Sequence, residues 1–241
     1  METEFDTRQP IGMFDSGVGG LSVLSVLRHE LPGEDILFVG DQAHVPYGPR
    51  SQEAIQQFSV GITHFLLQQG AKLILVACNT ASAAALHQLR EEFQSVAIVG
   101  MEPAVKPAAQ ATHTGMVGVL ATPNTFAGDL YASLVERFAR GVEIYQSTCP
   151  GLVERVEAGD LTEPDTRIIL EDALTPMLKA GVDTIVLGCT HYPFAVPLIR
   201  EIVGPAVTII DPAPAVARQV RRVLSARGLC HAQENGRVTY F

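Results

Sequence analysis

Two cysteines have similar surroundings in the two halves of this 241-residue sequence. Cys78 and Cys189 each follow a short aliphatic run that predicts a β-strand, and each precedes polar residues at which a helix or turn is expected to begin. A helix N-terminus favours negative charge, and a thiol near it has a pKa below the ordinary value of about 8.5. Such a thiol exchanges protons near neutral pH. The two cysteines are therefore candidate acid/base groups.

The segments that lead to these cysteines form an internal repeat. Residues 70–78 match residues 181–189 in their first glycine, their aliphatic run and their final cysteine. Two further pairs of segments match in the same order: 11–14 with 117–120, and 98–104 with 209–213. A general parallel α/β architecture would account for the similar strands, but it does not account for the paired cysteines. We therefore expect a duplicated unit whose halves present two thiols to one cleft.

Polar residues that follow the other expected strands supply the rest of a candidate site, because ligands of open parallel sheets bind beyond the carboxyl ends of the strands. Asp15 could meet an ammonium group or orient a thiol. The imidazole of His191 would lie on the same side as Cys189 if the backbone between them is extended, and it would then assist that thiol. Hydroxyl and amide side chains suited to holding carboxylates are those of Ser16, Asn79, Thr80, Thr122, Thr125 and Thr190.

Two acid/base groups on opposite sides of one carbon atom would permit inversion at that atom. One group removes the proton from one face while the other donates a proton to the opposite face, and the roles reverse for the back reaction. We expect no cofactor, because none of the lysines (Lys72, Lys106 and Lys179) lies in a context suited to pyridoxal phosphate. We also expect no metal and no disulfide, because the four cysteines are far apart and form no CxxC pair.

Composition excludes several classes of protein. Apolar residues make up 47% and charged residues 18% of the chain, which is typical of a folded protein. The net charge of −9 gives no electrostatic reason to expect a nucleic acid or an anionic membrane as partner. No apolar run approaches the roughly 20 residues of a membrane-spanning helix, and the acidic segment 1–6 lacks the apolar core of a signal peptide. We expect a cytoplasmic protein.

The elements that must position these groups alternate between strand and helix. Strands are predicted at 11–14, 36–39, 73–77, 96–99, 117–120, 142–146, 184–188 and 207–210. Helices are predicted at 20–30, 52–69, 80–93, 125–139, 165–180 and 213–227. This order predicts an α/β fold of two similar, doubly wound parallel-sheet domains with the active site in the cleft between them. We expect the first domain to contain 1–99 and 211–241, and the second 100–210.

Several motifs together resemble the glutamate racemase family of the cofactor-independent aspartate/glutamate racemase superfamily. They occur in order between residues 11 and 211. The matching motifs are Asp15–Leu21, Val45–Gly48 with Arg50–Ser51, Ala77–Ala83, Glu102–Ala104 and Gly188–Pro193. The resemblance implies a small amino-acid substrate, no cofactor, a homodimer, and a role in supplying D-glutamate for peptidoglycan.

The resemblance also implies roles for individual residues. Cys78 and Cys189 correspond to the acid/base pair, and Asp15 and His191 to the groups that assist them. An auxiliary glutamate follows the family's Cys-Pro motif; spacing favours Glu157, and Glu154 is a close alternative, while a solvated helix face accounts for either. Substrate contacts correspond to Ser16, Tyr47, Gly48, Asn79, Thr80 and Thr190, with Thr122 and Thr125 placed less securely.

Two departures and two alternatives remain. Asn124 stands where relatives usually have glycine, and the family usually continues beyond the strand expected at 237–241. An aspartate racemase or a decarboxylase of the same superfamily would differ in pocket shape, although a decarboxylase needs only one essential thiol. A non-catalytic nucleotide or anion sensor is the alternative from another class. It is suggested by the glycine-rich turn at 15–20 and by Asp41, but Ser22 replaces the third glycine of that fingerprint.

Overall fold

The structure, a computed structural model, describes residues 5–241. The strands are β1 (Ile11–Asp15), β2 (Ile36–Gly40), β3 (Leu73–Val76), β4 (Ala97–Gly100), β5 (Met116–Ala121), β6 (Glu143–Ser147), β7 (Thr184–Gly188), β8 (Thr208–Ile210) and β9 (Val238–Tyr240). The helices are α1 (Gly20–Glu30), α2 (Gln52–Gln68), α3 (Asn79–Glu92), α4 (Val105–Ala111), α5 (Pro123–Ala127), α6 (Asp129–Phe138), α7 (Leu152–Ala158), α8 (Pro164–Ala180), α9 (Val196–Val203) and α10 (Ala213–Ala226).

The chain divides into two compact units, each built on its own sheet. The first contains the described residues through Met101 together with Ala213–Phe241, and the second contains Glu102–Pro212. Both boundaries lie two residues later in the chain than the sequence suggested. Every strand pairing in both sheets is parallel. The predicted fold class, two parallel-sheet α/β domains, is confirmed.

The first unit contains a five-stranded sheet in the order β4-β3-β1-β2-β9. Strand β3 is buried along its whole length, as expected for a parallel strand covered on both faces. Leu73 and Leu75 contribute to the core on one face, while Ile74 and Val76 contribute to the core on the other. Cys78 lies on the same face of the sheet as Ile74 and Val76, because side chains alternate along a strand. The alternation along this strand therefore decides on which side of the sheet the cysteine lies.

The second unit contains a four-stranded sheet in the order β6-β5-β7-β8. Strand β7 occupies an interior position between β5 and β8, and all five of its residues are buried. Cys189 follows its last residue, as Cys78 follows β3 by two positions. In each sheet, the cysteine lies at the carboxyl end of a strand that pairs with a parallel strand on both sides.

Several short helices differ from the sequence predictions. The helix expected at 125–139 is divided into α5 and α6 at Gly128, whose backbone is extended with φ −76° and ψ 140°. Helices α4 and α7 have seven residues each and α9 has eight, so they span about two turns or fewer and show too little periodicity for recognition. The strand expected near the end of the chain is confirmed, because β9 pairs with β2.

A buried ion pair lies near the amino ends of strands in the first unit. The Lys72 ammonium is 2.6 Å from the Glu34 carboxylate, and both side chains are almost fully buried. Lys72 also donates to the carbonyl oxygen of Thr7, and the backbone N–H of His231 donates to Glu34 over 2.7 Å. The pair therefore connects the first described residues and the C-terminal segment to the sheet.

None of the helices in residues 5–241 combines the length and the apolar character that a membrane crossing needs.

Candidate active site

Cys78 is held at the N-terminus of helix α3. It is the N-cap residue, its backbone is extended, and the residue is only 4% exposed. The backbone N–H of Ala81 donates to Sγ over 3.4 Å, and the Ser16 hydroxyl oxygen lies 3.8 Å from Sγ. An N–H donor, a neighbouring hydroxyl and the positive end of a helix all favour a thiolate. The local structure therefore suits a cysteine that loses and regains a proton.

Asp15 is the last residue of strand β1 and is fully buried. It precedes Ser16, whose hydroxyl contacts Cys78. Its Oδ1 accepts a hydrogen bond from the backbone N–H of Gly17 over 2.9 Å, and the Ser16 hydroxyl lies 3.5 Å away. Gly20 allows helix α1 to approach closely, because a Cβ at that position would lie 2.6 Å from the Asp15 Cβ. The glycine-rich turn therefore contains a buried carboxylate where a nucleotide would place its phosphates, which argues against the sensor alternative.

Tyr47 is buried, and its hydroxyl points to an acidic neighbour. It is 1% exposed, and its hydroxyl donates to Oδ2 of Asp41 over 2.6 Å. Burial, followed by this hydrogen bond to a carboxylate, raises the pKa of Tyr47 above its ordinary value of 10.0, so the phenol keeps its proton. Asp41 also binds Nδ1 of His44 at 2.8 Å. The Asp41 carboxylate therefore binds side chains of its own loop, which gives no support to the nucleotide or anion sensor alternative.

Two other expected substrate contacts open helix α3. Asn79 and Thr80 are 3% and 4% exposed. Neither the Oδ1 nor the Nδ2 atom of Asn79 has a hydrogen-bond partner among the described residues. A buried amide without partners is uncommon in folded proteins and calls for an explanation such as a ligand. Gly48, the remaining expected contact of this unit, lies half-buried in the same loop as Tyr47.

Cys189 lies beside an imidazole in the second unit. Its Sγ is 3.7 Å from Nδ1 of His191, and both residues are buried. The other ring nitrogen, Nε2, is 2.6 Å from Oε1 of Glu157. A carboxylate at Nε2 holds the proton on that nitrogen and leaves Nδ1 to exchange a proton with the thiol. The three side chains thus form a carboxylate–imidazole–thiol chain.

The backbone at His191 is not extended, although the contact with Cys189 forms. His191 has a helical conformation, with φ −76° and ψ −30°, immediately before the 3₁₀ turn at Tyr192–Ala195. The condition of an extended backbone from Cys189 to His191 is therefore not met at His191. A tight turn after β7 folds the imidazole back toward the sulfur and produces the same proximity by another route.

Helix α7 places Glu157, not Glu154, against the histidine. Glu157 has a side chain that is 14% exposed, whereas Glu154 is exposed on the first turn of the helix. Gly151 and Gly159 flank the helix in the left-handed conformation, with φ of 87° and 79°, and so set its short length. The spacing in the sequence allowed either glutamate, and the geometry separates them.

Cys149, the cysteine of the Cys-Pro motif that precedes Glu157, is also buried. It is 4% exposed, and burial, followed by negative charge at Cys189, raises its pKa to about 12. Cys149 therefore remains a neutral thiol near neutral pH and is unsuited to acid/base work. Within residues 5–241, no group of three or more His, Cys, Asp and Glu side chains is arranged to hold a metal ion.

The threonines of the second unit also lie at strand ends. Thr122 follows β5 and caps helix α5, since its Oγ1 accepts a hydrogen bond from the backbone N–H of Thr125 over 3.3 Å. The two threonine hydroxyls are 3.0 Å apart and both residues are buried. Thr190, between Cys189 and His191, is 3% exposed. Each unit thus gathers its own cysteine and its own set of expected contacts at the carboxyl ends of its strands.

Comparison with known proteins identifies the family. The sequence pattern of the Asp/Glu/Hydantoin racemase family matches residues 20–220. A glutamate racemase from Pseudomonas aeruginosa (strain UCBPP-PA14) is 56% identical over 219 residues, which is 91% of this chain and 83% of that protein.

Solved structures give the same result. A glutamate racemase isoform from Bacillus anthracis has a TM-score of 0.89 and 35% identity, with 98% of this chain and 88% of that chain covered. A glutamate racemase from Francisella tularensis, solved in complex with D-glutamate, has a TM-score of 0.84 and 31% identity, with 97% and 88% covered. The chain therefore belongs to the Asp/Glu/Hydantoin racemase family, within its glutamate racemases.

Proposed function

We propose that this protein interconverts L- and D-glutamate without a cofactor, with Cys78 and Cys189 as the two acid/base groups. The observation that carries the proposal is that each sheet places one cysteine at the carboxyl end of an interior strand, with its own polar assistants. The proposal requires both sulfur atoms to reach one bound glutamate. A single thiol would account for proton removal but not for delivery of a proton to the opposite face.

The reaction begins with a thiolate on one side of the substrate. The thiolate takes the Cα proton, so the C–H bond breaks, an S–H bond forms, and the electron pair is delocalised into the α-carboxylate. The thiol of the second cysteine then donates its proton to the opposite face of Cα and becomes a thiolate. The product has the inverted configuration, and the two cysteines have exchanged protonation states.

Cys78 has the groups to act in one direction. The N–H of Ala81 and the N-terminus of α3 stabilise the sulfur when it is negative. The Ser16 hydroxyl connects the sulfur to the buried carboxylate of Asp15. We assign Asp15 to the orientation of this hydroxyl and to the substrate ammonium group, for which a buried carboxylate is well suited.

Cys189 is assisted by the imidazole of His191, whereas Cys78 is assisted by the N–H of Ala81 at a helix N-terminus. Nδ1 of His191 takes the thiol proton when Cys189 must become a thiolate, and it returns that proton when Cys189 must act as an acid. The Glu157 carboxylate stabilises the imidazolium that forms during this exchange. The two cysteines are therefore activated by different chemical means.

Hydroxyls and amides hold the substrate carboxylates in this proposal. Asn79 is the best supported, because its buried amide offers both a donor and an acceptor that have no hydrogen-bond partner within residues 5–241. The remaining contacts are assigned to Ser16, Gly48, Thr80, Thr122, Thr125 and Thr190. A relative that binds D-glutamate favours glutamate as the substrate. Exclusion of water from the bound substrate would strengthen these polar contacts and the thiolate base.

The direct test uses pure L-glutamate in D₂O with purified protein and no added cofactor. Optical rotation should decay to zero, and deuterium should appear at Cα. Cys78→Ser and Cys189→Ser should each abolish most of the racemisation, whereas Cys149→Ser should retain it, because Cys149 is a neutral thiol outside the proposed chemistry. Full activity in either catalytic variant would contradict the two-cysteine assignment. A parallel assay with L-aspartate tests the substrate, and faster turnover of aspartate would favour the alternative racemase.

The biological role and the assembly follow from the family resemblance. We propose that the D-glutamate formed supplies peptidoglycan synthesis, and that the protein acts as a homodimer. Depletion of the protein in its host should produce a requirement for D-glutamate. Sedimentation equilibrium should give twice the chain mass of 25.9 kDa.

A further inference from the structure

A loop between β2 and α2 contains an acidic residue that binds two side chains of its own loop. Asp41 directly follows β2, and its backbone N–H donates to the carbonyl oxygen of Asp15 over 3.0 Å. The chain then turns, and the N–H groups of His44 and Val45 both donate to the Asp41 carbonyl oxygen. The start of the loop is thereby fixed to the end of β1, where the candidate catalytic carboxylate lies.

The Asp41 carboxylate then fixes the middle of the loop. Oδ2 accepts the Tyr47 hydroxyl proton at 2.6 Å, and Nδ1 of His44 lies 2.8 and 2.9 Å from the two oxygens. The His44 ring stacks on Phe58 of α2 at 3.9 Å between centroids, and its carbonyl oxygen accepts a hydrogen bond from Nε of Arg50. The carboxylate side chain is only 11% exposed, so solvent competes little with these bonds.

Tyr47, which is bound by the Asp41 carboxylate, lies in the core of the first unit. Its ring belongs to the same core cluster as Cys78 and Phe14, and it is 1% exposed. Its single hydroxyl proton is donated to Asp41, so the phenol does not offer that proton to a substrate. The side chain therefore anchors the loop in the core beside Cys78. Gly48 follows Tyr47 in this loop and is half-buried.

We infer that Asp41 is a positioning residue for substrate binding: by holding Tyr47 and His44, it fixes the 41–50 loop so that the backbone near Gly48 meets a carboxylate of the substrate. The inference rests on the proposed function. It assigns Asp41 no contact with the reacting atoms, and the role of its carboxylate is to bind Tyr47 and His44 of its own loop. Loss of Asp41 should thus weaken binding more than it slows proton transfer.

The test compares Asp41→Ala with Asp35→Ala in a steady-state racemisation assay. Asp35 precedes the opposite end of the same strand, and its carboxylate accepts hydrogen bonds from the Arg237 N–H and the Gln233 amide. Both variants lose side-chain hydrogen bonds, so both should have lower melting temperatures. Asp41→Ala should raise KM for glutamate about tenfold, the effect of leaving a buried hydroxyl without its partner, and should change kcat less than about threefold. Asp35→Ala should leave KM within about twofold of wild type.

Conservative variants separate positioning from general stability. Asp41→Asn keeps an oxygen that accepts the Tyr47 proton, so its KM should lie between those of wild type and Asp41→Ala. In a Tyr47→Phe background the hydroxyl is absent, and adding Asp41→Asn should then change KM by less than about twofold. These two variants retain the volume of the buried groups and provide the test if Asp41→Ala does not fold.

Three results would overturn the inference. An unchanged KM in Asp41→Ala or Asp41→Asn would show that the loop does not depend on this carboxylate. A fall in kcat at unchanged KM would assign Asp41 to the chemistry instead. Equal rises of KM in Asp41→Ala and Asp35→Ala would show that the higher KM results from a general loss of stability and not from a change in the 41–50 loop. These results apply when the wild-type protein racemises glutamate; a wild-type protein without that activity would instead contradict the proposed function itself.

Discussion

Replacing Glu157 with glutamine changes one charge at the end of the chain that leads to Cys189. The carboxylate lies 2.6 Å from Nε2 of His191, and the two side chains are 14% and 2% exposed. Glutamine has nearly the same shape, so its amide oxygen still accepts the imidazole N–H. What is lost is the negative charge that stabilises the imidazolium when Nδ1 takes the thiol proton.

The size of this loss follows from the type of hydrogen bond. The imidazolium keeps its charge in Glu157→Gln, so the bond loses one of its two charges; the effect of one charge is the difference between about 1.5–3 kcal/mol for a hydrogen bond to a charged group and about 0.5–1.5 kcal/mol for a neutral one. The exchange therefore costs about 1–1.5 kcal/mol in the transition state, and about 1.4 kcal/mol corresponds to a tenfold change in rate. We expect kcat to fall about tenfold. KM should change little, because Glu157 acts on His191 and not on the substrate.

The assay follows the optical rotation of glutamate from each enantiomer, and Glu154→Gln is the matched control. Glu154 lies on the same helix but is exposed, so its replacement should leave kcat within about twofold of wild type. Equal kcat values for the two variants, or a larger loss in Glu154→Gln, would refute the carboxylate–imidazole–thiol chain. A large rise of KM in Glu157→Gln would instead place this carboxylate in contact with substrate.

Three further predictions concern stability and are measured by denaturant unfolding. The pKa of Asp183 is about 2, because burial, which raises it, is outweighed by hydrogen bonds from the Thr112 hydroxyl and neighbouring groups. This value in the folded protein lies below the ordinary 3.8. The ionised carboxylate therefore stabilises the folded protein above about pH 4, and this contribution is lost as pH falls toward 2. The deficit of Asp183→Asn at pH 6 should accordingly shrink over that interval, and a deficit independent of pH would contradict this. Gly20→Ala should lower the free energy of unfolding by about 1–3 kcal/mol through overpacking, because the added Cβ would lie 2.8 Å from the Phe38 ring. A loss below about 0.5 kcal/mol, which is the usual effect of a surface substitution, would show that helix α1 shifts to make room. Lys72→Met should cost about 3–5 kcal/mol by leaving the buried Glu34 carboxylate without a countercharge. Adding Glu34→Leu should restore part of the loss, whereas a further loss would show that the pair is net stabilising.

Much of the fold was predictable because aliphatic strands carry strong local signals. The four-residue run of β3 is uniformly buried, and its end fixes the position of Cys78 without further information. The same logic placed Cys189 after β7. Strand ends in a parallel sheet are also where ligands bind, so the candidate site followed from the elements.

Other features depend on contacts that no local pattern encodes. Helix α7 has seven residues, so the face that carries Glu157 could not be distinguished from that of Glu154 until the helix was packed. The conformation of His191 is set by the turn into the 3₁₀ segment and not by the strand before it. The bond from Tyr47 to Asp41 closes a loop across six positions and gives no periodic signal, although an acidic residue just after a strand was a cue.

The central claim is that two different sulfurs remove and deliver the proton, and isotope distribution at low conversion tests it most directly. Pure L-glutamate in D₂O is sampled when about a tenth has reacted, an early point chosen so that product returns rarely. If two thiols act, the D-glutamate formed carries deuterium at Cα because its hydrogen comes from a solvent-exchanged thiol, while recovered L-glutamate keeps protium. The same result is expected from the opposite enantiomer. Product that retains protium, or recovered substrate that gains deuterium as fast as product forms, would show that one base serves both faces and would contradict the account.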